Sequence, residues 1–92
     1  MIKSFHCVEA QTLFAGMRVA RFANIAAVAE RKLQQIDSAA NLAALRSPPG
    51  NRLEALKGGR SGQHSIRIND QWRVCFRFEG GNAFDVEIVD YH

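Results

Sequence analysis

Cysteine is scarce in this 92-residue chain: Cys7 and Cys75 stand far apart, with no C-x-x-C spacing. That pattern gives no support to a disulfide framework or a zinc site, and both thiols read as reduced packing residues. No run approaches the roughly 18 apolar residues of a membrane span, and Met1-Ile2-Lys3-Ser4-Phe5 leads straight into a strand-like pattern without a signal-peptide core. The expectation is a cytoplasmic protein with no membrane partner. A helix-turn-helix pattern is also missing, which argues against DNA binding by this chain alone. With 47% hydrophobic and 23% charged residues, six Phe, one Trp and one Tyr, the composition is that of a folded globule. A chain of this length has room for one core and one site, so residues 1–92 are expected to form a single domain.

The net charge of +3 says little, but its distribution says more. Between Arg46 and Arg77 stand seven basic residues (Arg46, Arg52, Lys57, Arg60, Arg67, Arg73, Arg77) against Glu54 and Asp70, a local excess of +5. Acids gather later, in Asp85, Glu87 and Asp90.

Residues 2–6 read as a first strand and residues 9–14 as a short helix closed by Gly16. Phe22, Ile25, Ala26, Ala29, Leu33 and Ile36 recur near a helical period, with Asn24 as the expected cap. Asp37 and Ser38 look like the start of a further short helix, stopped by Ser47-Pro48-Pro49-Gly50. From Asn51 the period becomes two. Leu53 and Ala55 alternate with polar neighbours, a glycine-rich turn follows Lys57, and His64, Ile66 and Ile68 form the returning strand. Turns at Asn69-Asp70-Gln71 and Glu79-Gly80-Gly81-Asn82 bound two more strands. Helices first and strands last predict an α+β fold, with helices packed on one face of an antiparallel sheet.

Alternation then sorts the strands. Trp72, Val74, Phe76 and Phe78 face the helices, so Arg73, Cys75 and Arg77 face away, joined by Arg67 and by groups near Arg52, Glu54 and Lys57. One sheet face is expected to be basic, either as a plain solvated surface or as a grip for a polyanion. Cutting RNA without a metal requires a base for the ribose 2′-hydroxyl, fixed positive charge for the phosphorane and an acid for the leaving 5′-oxygen. Lys57, Arg73, Asp90, Tyr91 and His92 have the side chains for these tasks, Arg73 by its bidentate fork and His92 by a pKa near neutrality. Alone, a triplet such as Asp90-Tyr91-His92 is more often a frayed end.

The run from Arg52 to Phe78, with its LKG-x-R-x-G and SIRIN-x-QWR elements, and Val89-Asp90-Tyr91-His92 after it, resembles the HigB-type toxins of the RelE superfamily. Ile2-Lys3-Ser4-Phe5, the two-helix region and Pro48-Pro49-Gly50 agree in order and spacing. The resemblance implies a small RelE-like fold and a type II toxin: an mRNA interferase that enters the ribosomal A site and cleaves the messenger through its 2′-hydroxyl, without metal or other cofactor. Partners implied are the 70S ribosome, mRNA and a HigA-type helix-turn-helix antitoxin, with operator DNA reached only through the antitoxin complex. Site residues implied are Lys57 and Arg73 on the scissile phosphate, His92 for proton transfer, Asp90 as orienting or acid-base group and Tyr91 as stacking or hydrogen-bonding group. Arg52, Arg60, Arg67, Arg77 and His64 are expected RNA contacts.

Two departures stand out: Glu54 where some relatives carry histidine, and Gly59 where aspartate is common. Glu54 is either a general base or a structural bridge to Arg52 or Lys57. Rival readings are a non-catalytic RNA- or ribosome-binding protein and an inactive relative that only holds its antitoxin.

Overall fold

A computed structural model describes residues 1–90. The element order is α1 (Val8–Phe14), α2 (Ala26–Ser38), β1 (Glu54–Ala55), β2 (His64–Arg67), β3 (Trp72–Glu79) and β4 (Asn82–Asp90). Four short 3₁₀ turns, Ala20–Phe22, Leu42–Arg46, Pro49–Asn51 and Gly58–Arg60, fill the connections. The strands lie antiparallel in the order β1-β2-β3-β4, so the expected α+β class with helices on one sheet face is what forms.

α2 forms because alanine is the best helix former and Ala29, Leu33 and Ile36 recur on one face, all three at 0% exposure. That face packs with Ala10, Leu13 and Phe22 onto Ile66, Val74, Phe76, Val86 and Ile88 of the sheet. Burial of Phe22 and Phe76 against these aliphatics supplies much of the driving force, about 2 kcal/mol or more for each large side chain.

Local details differ from expectation in four places. The first strand reduces to two parallel bridges, Ile2 to Ala83 and Phe5 to Val86, which cover the β4 edge. Asn24 does not cap α2; Ile25 occupies the cap position without a side-chain bond, because the chain enters through the Ala20–Phe22 turn. Asp37 and Ser38 belong to the end of α2, where Asp37 accepts the Ile2 amide at 2.8 Å. The next turn is capped instead by Asn41, whose Oδ1 accepts the Ala44 amide. The expected strand from Asn51 shrinks to Glu54–Ala55, since Pro49–Asn51 coils and Arg52 turns left-handed at φ 47°.

The hairpin turns follow their residues. Asn69 Oδ1 accepts both the Gln71 and Trp72 amides, and Gly80 and Gly81 supply the positive φ of 57° and 81° that a tight turn into β4 requires. Opposite Phe76, β4 carries one extra residue, and Asp85 takes φ 55° there. This bulge turns Asp85 toward Arg77.

Candidate functional site

The outward sheet face is organised by one cross-strand row. Glu54 pairs with Ser65, Ser65 with Cys75 and Cys75 with Glu87, one residue from each strand. Directly paired residues share a face, so all four side chains project away from the helices. Ser65 and Cys75 form the floor at 0% exposure. Ser65 Oγ has no hydrogen-bond partner among the described residues. Burial pushes the Cys75 thiol pKa up, against an opposing pull from Arg60, and the buried thiol stays protonated.

Over this floor stand two arginine–glutamate pairs. Arg73 Nη1 lies 3.2 Å from Glu54 Oε1, and Arg73 Nη2 donates to the Arg52 carbonyl at 2.8 Å. The Arg73 side chain is only 13% exposed, so its guanidinium is held in one place by β1 and the turn before it. The carbonyl can reach it because Arg52 adopts a left-handed conformation. Across the row, Arg60 Nη1 donates to Glu87 Oε1 at 2.7 Å and to Gln63 Oε1 at 3.1 Å.

The structure places the remaining expected residues as follows. Lys57 is exposed, two residues past β1, at the start of the Gly58–Arg60 turn, and Arg52 is exposed two residues before β1. Among the described residues neither makes an ion pair. Arg67 is the cross-strand partner of Arg73 and pairs with Asp70. Arg77 sits toward the far end of β3, bound by Asp85 at 3.0 Å and Glu79 at 3.1 Å, with its guanidinium 5.2 Å from the Phe84 ring. The hydrogen bond to Asp85 raises its pKa further. His64 pairs with Phe76, on the helix-facing parity of the sheet, and its ring tilts over that phenylalanine. Asp90 pairs with Trp72, also on that parity, and accepts from Gln71 Nε2 at 3.1 Å. Beside it opens a polar cleft of about 450 Å³ lined by Arg21, Asn24, Asn69, Gln71 and Trp72. Tyr91 and His92 lie outside the described residues.

Three expectations are corrected here. Glu54 does bridge, but to Arg73 rather than to Arg52 or Lys57, because β1 runs beside β2 and the long Arg73 side chain reaches across from β3. The sheet face is not uniformly basic. β4 lies against β3 and brings Glu87 and Asp85 onto Arg60 and Arg77, Arg73 is taken by Glu54, and Arg52 and Lys57, in the chain on either side of β1, are left as exposed cations without an ion pair among the described residues. His64 does not share that face, because its strand parity turns it to the other side. Sequence reasoning missed Glu87 as a partner and Ser65 as floor; the alternation of β2 against β3 was the available signal for Ser65. Among the described residues no group of three His, Cys, Asp or Glu side chains is arranged to hold a metal ion, and no helix is long and apolar enough to cross a membrane.

The chain is similar to several known proteins. Toxin HigB-1 of Vibrio cholerae serotype O1 is 46% identical over 55 residues, which are 60% of this chain and 58% of that protein. Endoribonuclease HigB of Proteus vulgaris is 38% identical over 61 residues, 66% of this chain and 65% of that one. An uncharacterized protein of Haemophilus influenzae is 40% identical over 60 residues, 65% of this chain and 59% of its own length. The matched region thus spans about three-fifths of these relatives. In three dimensions the chain resembles one in the YoeB-YefM complex from Staphylococcus aureus, with a TM-score of 0.53 at 15% identity over 100% of this chain and 98% of that one, which shows a shared fold. Residues 18–92 match the family described as RelE-like toxin of type II toxin-antitoxin system HigB, and the chain belongs to that family.

Proposed function

We propose that the chain is the toxin of a type II toxin–antitoxin pair and acts as a ribosome-dependent mRNA interferase. The observation that carries this reading is Arg73: a guanidinium fixed by Glu54 and the Arg52 carbonyl and only 13% exposed, with Lys57 exposed two residues past the strand that carries Glu54. Fixed positive charge in a partly desolvated position is what a phosphorane requires, because it acts without reorganising as charge develops. In the proposed reaction a base takes the proton of the ribose 2′-hydroxyl and the 2′-oxygen attacks phosphorus. The P–O5′ bond breaks as the 5′-oxygen receives a proton, leaving a 2′,3′-cyclic phosphate. Arg73 and Lys57 neutralise the phosphoryl oxygens, His92 moves protons, Tyr91 orients the reacting groups, and Asp90, on the opposite parity of the sheet from Arg73, acts through its chain neighbours rather than on the phosphate. Glu54 serves as a positioning residue for Arg73. The chemistry needs no metal on this reading.

RNA outside the scissile linkage is held by Arg52 and, more weakly, by Arg60, Arg67 and Arg77, whose charges are already offset by acids. With the other arginines of the sheet paired to exposed or half-buried acids, one nearly buried, fixed guanidinium favours a site for a single phosphate over a broad non-catalytic grip. A HigA-type antitoxin silences the toxin in the cytoplasm, and the pair together reaches operator DNA.

Inducible expression with transcript ends mapped tests the proposal. New breaks inside reading frames are expected with the native chain, suppressed by the cognate antitoxin and absent in Arg73→Ala and His92→Ala. Losing acid–base help lowers the rate by about 10² to 10⁴. Native-level breaks in both variants, or none in the native chain, reject the reading.

A further inference from the structure

A fully buried amide lies directly behind the site. Asn51 is 0% exposed; its Oδ1 accepts from Lys32 Nζ, and its Nδ2 donates to Gln35 Oε1 at 3.0 Å and to the carbonyls of Leu45 at 3.1 Å and Ser47 at 3.3 Å. Lys32 and Gln35 both belong to α2, so this one side chain staples the loop of residues 45–51 to the helix. Lys32 is itself 9% exposed, makes no ion pair among the described residues, and has its pKa lowered by burial. A cation so placed depends heavily on the few dipoles that solvate it, and Asn51 Oδ1 is the one aimed at it.

What this anchor fixes begins one residue later. Arg52 sits at φ 47°, a backbone region that side chains rarely adopt and that persists where surroundings impose it. The turn directs the Arg52 carbonyl at Arg73 Nη2, and two residues on Glu54 takes Nη1. These two partners of the guanidinium therefore follow Asn51 by three residues or fewer.

We propose that Asn51, gripped by Lys32 and Gln35, is a positioning residue for Arg73, acting through the Arg52 carbonyl and Glu54. The effect on cleavage rests on the function proposed above; the coupling between Asn51 and Arg73 does not.

Two readouts separate these. In ¹H–¹⁵N spectra of the full chain, a locked guanidinium gives distinct Arg73 Nη signals. Asn51→Ser and the near-isosteric Lys32→Met are expected to merge them while β2–β4 amides keep native shifts. Unchanged Arg73 signals in a folded variant overturn the proposal; if Asn51→Ser does not fold, Lys32→Met decides. In cleavage assays Asn51→Ser is expected to lower the rate about tenfold beside native Arg73 and less than about twofold beside Arg73→Lys, since residues acting through one another are non-additive. Equal losses in both backgrounds also overturn it. A native chain that does not cleave sinks the nuclease reading alone and leaves the spectra to judge the coupling.

Discussion

Glu54→Gln separates two roles that one carboxylate can play. Glu54 lies 3.2 Å from Arg73 Nη1 and its side chain is 49% exposed. At an effective dielectric of about 20 the bare attraction is about 5 kcal/mol. Solvent screening at so exposed a carboxylate, together with the entropy of holding both chains, leaves about 1 kcal/mol. For a domain of this size that loss lowers Tm by about 4–8 °C, and by less where the Gln oxygen keeps a hydrogen bond. The functional consequence runs in two directions. Removing a negative charge from beside Arg73 strengthens RNA binding at low salt, by about threefold or more. Loosening the guanidinium lowers kcat about 10- to 100-fold, because small misplacements at a reacting centre are costly. The expected signature is a lower KM with a lower kcat, and a pH–rate profile of unchanged shape. A general base behaves otherwise: its loss removes the acidic limb of the profile along with 10² to 10⁴ in rate, roughly. Loss of that limb, or weaker RNA binding with unaltered stability, would falsify the positioning role.

Charge neutralisation by β4 has its own signature. Lys57→Ala is expected to flatten the log–log salt dependence of RNA binding by about 0.7, whereas Arg77→Ala, already offset by Asp85 and Glu79, leaves it nearly unchanged; equal flattening by both contradicts the pairing seen here. Thiol labelling of the folded chain at mildly alkaline pH is expected to modify half-buried Cys7 first and spare Cys75, which is buried and has a raised pKa. Rapid native-state labelling of Cys75 is the contrary result. Burial lowers the Lys32 pKa, so between that value and the unfolded lysine value of about 10.4 the unfolded chain binds more protons and stability rises with pH. Urea titrations at pH 7 to 10 are expected to show the native chain gaining stability relative to Lys32→Met as pH rises, a difference in which the opposing fall from the raised Cys75 pKa cancels, and parallel curves refute it. In the core, Phe76→Ala is expected to lower stability by about 3–5 kcal/mol in the same titrations, and a loss under about 1 kcal/mol speaks against its burial.

Much of the fold was written locally. The helical spacing of Ala29, Leu33 and Ile36, the two-residue alternation from Trp72 to Phe78 and the turn residues at Asn69 and Gly80-Gly81 each act over a few neighbours, and each produced its element. Boundaries were less legible. Asn24 has the chemistry of a cap, yet the chain enters α2 through a 3₁₀ turn set by Phe22 packing under the helix. Asn51 reads as the opening of a strand, and nothing nearby in sequence announces that Lys32 and Gln35 meet it.

The same division holds for the site. Sequence alone determined which chemical groups exist: a dense set of arginines with Lys57, an acid at position 54 and the Asp90-Tyr91-His92 triplet. It also determined, through strand parity, that Arg67 and Arg73 share a face. Which of those charges remain exposed was decided only by tertiary structure, because electrostatic attraction depends on distance in space. Pairing of β4 with β3 carries Glu87 to Arg60, 27 residues away in the chain, and the left-handed turn at Arg52 carries a carbonyl to Arg73 across 21. A linear count of charge sees neither approach.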